Sequence, residues 1–122
     1  MAIIIVVDDD PLVRALAARA LASVADVRSY ADAASAVGAL AVAADRIELI
    51  VADVEMPGAL DGIGLALSLS VTDPGIPVVL MSGDDGALAL GRTLPNVRGC
   101  LHKPFTLAAL RAAVEGGLAD VA

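Results

Sequence analysis

Short apolar runs alternate along the chain with longer segments of helical periodicity. Ile3-Ile-Ile-Val-Val7 is β-branched throughout, as expected for a central parallel strand covered on both faces. It stops at Asp8-Asp9-Asp10-Pro11, where Asp10 suits an N-cap and Pro11 the first helical position. Leu12, Val13, Leu16, Ala17, Ala20, Leu21 and Val24 then recur at helical spacing and predict one apolar face, with Arg14 opposite. Val27 to Tyr30 reads as a second strand. Asp32 caps a second helix that carries Val37, Leu40 and Ala41 and fades near Asp45. Glu48 to Ala52 is the third strand, and Asp61 opens a third helix through about Val71. Pro77 to Met81 and Val97 to Leu101 are the fourth and fifth strands. A glycine-containing helix, about Gly86 to Leu94, separates them, and Phe105-Thr106 leads into a last helix to about Leu118. Strands alternating with helices predict an α/β fold, a doubly wound five-stranded parallel sheet with five helices.

Composition narrows the class. At 122 residues the chain is read as one domain, residues 1–122, with a single core. It is 58% hydrophobic but 2% aromatic, so Ala, Val, Leu and Ile build that core, and ordinary rather than high stability is expected. A net charge of −7 and a pI near 4.3 argue against a basic footprint for nucleic acid. Cys100 is the one cysteine and cannot form an internal disulfide, which fits a reducing cytoplasm. The first apolar run is too short for a signal peptide, and no run reaches membrane-spanning length despite a mean hydropathy of +0.82.

The candidate chemistry stands at the strand ends. The first strand ends in Asp8 and Asp9, the third in Asp53, the fourth in Ser82 and the fifth in His102-Lys103-Pro104. In a parallel sheet these ends converge on one edge. Three carboxylates gathered there repel one another, and a hard divalent cation such as Mg²⁺ relieves that repulsion. Lys103 supplies a compact positive charge and Ser82 a hydroxyl donor, together suited to an anion with several oxygens. A carboxylate nucleophile taking a phosphoryl group is established chemistry for aspartate. His102, the only histidine, is expected to point away from Lys103 by strand alternation and to be structural. Cys100 is expected to act as a small buried hydrophobe. Whichever of Leu88 and Leu90 is exposed marks a partner surface.

Asp8-Asp9, Asp53 with Met56-Pro57, Asp61-Gly62, Ser82 and Lys103-Pro104-Phe105, in this order and at these intervals, resemble the receiver domains of two-component response regulators, of the stand-alone type. The resemblance covers essentially the whole chain. It implies a flavodoxin-like strand order 2-1-3-4-5, and Asp53 as the acceptor of a phosphoryl group from a sensor histidine kinase or a histidine phosphotransfer protein. It implies Mg²⁺ held by Asp8, Asp9, Asp53 and the backbone carbonyl of Glu55, with Ser82 and Lys103 on the phosphoryl oxygens. It further implies a cis Lys103–Pro104 bond that positions the lysine, and signalling through the helix-4, strand-5, helix-5 face to a downstream protein, a homodimer being left open.

Three features stand out against the family pattern. Cys100 stands where the family usually carries Tyr or Phe, so the signal is expected to travel through loop and helix-four shifts. The loop Met56 to Gly62 is one residue longer than the common form. Glu55 and Asp84 occupy positions at which the family tunes dephosphorylation; they could orient an attacking water or repel an incoming donor. Beyond its own phosphorylation and dephosphorylation no enzyme activity is expected. The alternatives are a phosphorylation-independent interaction module and a phosphatase of the haloacid-dehalogenase type, for which Glu55 has the spacing of a second acid. No output segment follows Leu118, which fits either a protein that acts alone or a piece of a longer one.

Overall fold

β-Branched runs and aspartate caps divide the chain into alternating strands and helices. The computed structural model describes residues 2–119. In order it contains β1 (Ile3–Val7), α1 (Pro11–Leu21), β2 (Asp26–Tyr30), α2 (Ala33–Ala43), β3 (Ile47–Asp53), α3 (Gly62–Thr72), β4 (Val78–Ser82), α4 (Asp85–Gly91), β5 (Val97–His102) and α5 (Leu107–Ala119), with a short 3-10 turn, Ala44–Arg46, before β3. All strand pairs are parallel, as the alternation of strands and helices predicts, and the order is β2-β1-β3-β4-β5, as the family resemblance implies.

Successive strand residues point to opposite faces, so each central strand feeds two cores. Ile3, Ile5, Val7, Ile50, Ala52, Val78 and Leu80 pack with α2, α3 and Leu88 of α4. Ile4, Val6, Leu49, Val51, Val79 and Met81 pack with Ala17, Ala20 and Leu21 of α1 and with Leu110 and Val114 of α5. β1 and β4 are buried along their whole length, which is why they read as unbroken apolar runs.

The helix starts are set locally. Asp10, Asp32, Asp61 and Asp84 each accept a backbone N–H one turn into α1, α2, α3 and α4. The Ser35 N–H holds the Asp32 carboxyl below its ordinary pKa. Thr106 Oγ1 accepts from the Ala109 N–H, at 3.0 Å, and opens α5.

The helix faces differ from the sequence expectation. In α1 the buried stripe is Ala17, Ala20 and Leu21, whereas Leu12 is 72% exposed and Leu16 and Val24 are also exposed. The helix ends at Leu21, before Val24. In α2 the buried stripe is Ala33, Ala36 and Leu40, and Val37 and Ala41 face outward. Small side chains let a helix lie close to the sheet, and larger ones are then carried at its margins. α4 is shorter than expected, ending at Gly91. β3, β4 and β5 each run one residue further than expected, which keeps Asp53, Ser82 and His102 within the ladder.

Candidate functional site

Parallel pairing brings the carboxyl ends of β1, β3, β4 and β5 to one edge and gathers there residues as far apart in sequence as 8 and 103. Asp8 is fully buried; its Oδ1 accepts the Asp10 N–H at 2.9 Å, and its carbonyl accepts from Arg14 at 2.8 Å. Asp53 ends β3 and is 3% exposed, while Asp9 is open to solvent. One carboxylate oxygen from each of Asp8, Asp9 and Asp53 lies within 4.8 Å of the others. Lys103 Nζ reaches between two of them, 2.6 Å from Asp8 Oδ2 and 3.3 Å from Asp53 Oδ2. The lysine backbone N–H donates to the Ser82 carbonyl at 2.8 Å, and the Lys103–Pro104 bond is cis, as the family resemblance implies.

This crowding shifts the titration of the groups. Burial pushes the Asp53 carboxyl up to about 6; Asp8 adds to the push and Lys103 opposes it. Burial also works against the Lys103 charge, but its contacts with Asp8 and Asp53 outweigh that effect and raise its pKa. A pocket of three carboxylates, two buried and one facing solvent, is a hard oxygen donor set of the kind that divalent cations take. The residues therefore fit Mg²⁺.

Ser82 is fully buried. Its hydroxyl donates to Glu55 Oε1 at 2.5 Å and accepts from the Asp84 N–H at 2.9 Å. It does not cap α4; Asp84 does. The Glu55 N–H donates to Asp53 Oδ1 at 3.3 Å. The side-chain bond between Glu55 and Ser82 spans 27 residues, and no spacing in the sequence announces it.

Gly62 explains why glycine follows Asp61. A Cβ there would collide with the backbone carbonyl of Asp53, so the start of α3 sits directly against the end of β3. Cys100 is half-buried against the core, its Sγ 3.8 Å from the Leu88 carbonyl, and burial pushes its thiol pKa up. That environment is the opposite of the one that makes a reactive thiolate. His102 lies on the surface, with Nε2 3.4 Å from Asp85 Oδ1. Leu88 is buried and Leu90 is 59% exposed.

A family model described as "Response regulator receiver domain" matches residues 4–115. Among solved structures, the receiver domain of NtrX from Brucella abortus is 28% identical, with a TM-score of 0.86 over 95% of this chain and 98% of that one. NtrX itself is 30% identical, with a TM-score of 0.87 over 98% of this chain but 28% of that one. A response regulator receiver domain protein from Clostridium thermocellum, 19% identical, shares the fold at a TM-score of 0.87 over 98% and 96% of the two chains. No curated protein matches the sequence significantly.

Proposed function

Because the chain belongs to the family of response regulator receiver domains, we propose that it takes a phosphoryl group onto Asp53 and passes the event on as a change of conformation. The donor is a phosphohistidine on a sensor histidine kinase or a histidine phosphotransfer protein. The observation that carries this reading is the Lys103 ammonium set between Asp8 and Asp53 at the sheet edge, with Ser82 beside them.

An Asp53 oxygen attacks phosphorus, the phosphorus–nitrogen bond of the donor breaks, and the imidazole leaves. Lys103 balances charge on the transferred oxygens, and Ser82 offers them a hydroxyl. Asp8, Asp9, Asp53 and the Glu55 backbone carbonyl would hold Mg²⁺, which supplies positive charge against the carboxylates and the phosphoryl group. The chain acts only on its own phosphorylation and hydrolysis and turns over no metabolite. Beside the site, Asp10, Val13, Leu16, Lys103, Pro104 and Phe105 line a groove of about 330 Å³ that offers a donor protein an apolar seat. The output passes through the α4, β5 and α5 face, where Leu90 is exposed, to a protein partner.

Among the described residues no helix is long and apolar enough to cross a membrane, and the role proposed is cytoplasmic, without nucleic acid or membrane as a partner. The phosphatase alternative gains nothing from the site, since the Glu55 carboxylate is engaged with Ser82.

Incubation with acetyl phosphate and Mg²⁺, followed by intact mass, tests the proposal. One phosphoryl adduct is expected, absent from Asp53→Asn, with beryllofluoride binding that requires Mg²⁺. No adduct and no such binding in the folded protein would overturn it and leave a phosphorylation-independent interaction module.

A further inference from the structure

A serine hydroxyl has one proton to donate. In this structure Ser82 already gives that proton to Glu55 Oε1, at 2.5 Å, while accepting from the Asp84 N–H. Ser82 is fully buried, and its oxygen is held on both sides. An O–H to carboxylate bond of that length belongs to the short, charge-assisted class. A phosphoryl group on Asp53 offers acceptors only, so Glu55 and the phosphoryl oxygens compete for the same proton.

We propose that Glu55 is a latch on Ser82, holding the hydroxyl in the resting state and released when the phosphoryl group takes its place. This rests on the reading of Asp53 as phosphoacceptor. The exchange is balanced: one hydrogen bond from Ser82 breaks, one forms, no proton changes owner, and the solvent-facing Glu55 side chain returns to water. Glu55 thereby makes the phosphorylated state harder to reach and quicker to leave. The same hydroxyl touches the N–H of Asp84, and Asp84 caps α4, so release is felt at the start of that helix. With Cys100 of β5, paired with Leu80 of β4, at the position where the family usually carries an aromatic residue, the latch gives this chain a route from the site to α4 that needs no aromatic side chain.

The competing explanation is that the Glu55 charge simply repels an anion, and a double-mutant cycle separates the two. Beryllofluoride is titrated with Mg²⁺ into wild type, Glu55→Ala, Glu55→Gln, Ser82→Ala and the Glu55→Ala/Ser82→Ala pair. Losing a charge-assisted hydrogen bond from the resting state corresponds to roughly ten- to a hundredfold in affinity. Glu55→Ala is expected to tighten binding by about that factor in the Ser82 background and by less than about twofold without Ser82. Glu55→Gln, a weaker acceptor, falls between wild type and Glu55→Ala. A metal-free readout runs alongside: Glu55→Ala moves the Asp84 amide resonance when Ser82 is present and leaves it in place in Ser82→Ala.

An undiminished Glu55→Ala effect in the Ser82→Ala background, or an Asp84 amide indifferent to Glu55, overturns the latch while the receiver reading stands. Absence of Mg²⁺-dependent beryllofluoride binding in wild type and every variant overturns the reading of Asp53 as phosphoacceptor, and the latch with it.

Discussion

A carboxyl group 3% exposed, with Asp8 nearby and an ammonium 3.3 Å away, ionises under opposed influences. At Asp53 burial is the largest of them, and the group titrates near 6 rather than 3.8. The native state therefore holds this proton more tightly than the unfolded chain does. Stability from this group is fully present below about pH 4 and is lost as pH rises to about 6, in total about 3 kcal/mol. Asp53→Asn removes the ionisation. With metal chelated, the variant is expected to match wild type near pH 4 and to exceed it by about 2–3 kcal/mol at pH 7.5. Urea unfolding at the two pH values checks this, and a pH-independent difference between the proteins would sink it. That Asp8, Asp53, Ser82 and Lys103 stand together at one edge was legible, because each interrupts or follows an apolar strand. The bond from Ser82 to Glu55 was not, since it depends on where a long side chain from one strand end folds over its neighbour.

At the scale of elements, strands and helices were unequally legible. β1 and β4 announce themselves by unbroken β-branched or apolar runs buried on both faces. α2 and α3 contain no charged residue at all, so only Ser35, Ser68, Ser70 and Thr72 hint at which side meets solvent. The small-residue stripe Ala33, Ala36 decided the outcome over the larger Val37. Glycines test this picture of packing in both directions. Gly62→Ala must push the start of α3 away from the Asp53 carbonyl, an overpacking expected to cost about 1–3 kcal/mol and to weaken beryllofluoride binding. Gly38 in α2 and Gly116 in α5 face open space, and alanine at either is expected to add about 0.5–1 kcal/mol. Urea midpoints for the three variants should move in those opposite directions. A neutral Gly62→Ala with unchanged ligand binding would mean that α3 and β3 do not abut as described.

The molecule as a whole spends stability to assemble its site. A chain of net charge −7 folds so that three carboxylates crowd one sheet edge, and one lysine offsets part of their repulsion. A cation bound there acts on the folded state alone, because the unfolded chain scatters residues 8, 9 and 53. At free Mg²⁺ about a hundredfold above its dissociation constant, the gain is about 2.7 kcal/mol. Asp9 separates this gain from the fold itself, since it is exposed whereas Asp8 is buried against Lys103. Asp9→Asn is expected to leave metal-free stability within about 0.5 kcal/mol of wild type and to remove most of the Mg²⁺ increment. Asp8→Ala should instead lower stability with or without metal, because it strips Lys103 of its closest partner. Thermal melts of the three proteins, with chelator and across a Mg²⁺ titration, compare them directly. A Mg²⁺ increment that survives Asp9→Asn intact would place the cation elsewhere, and the edge carboxylates would then be a cluster held by Lys103 alone.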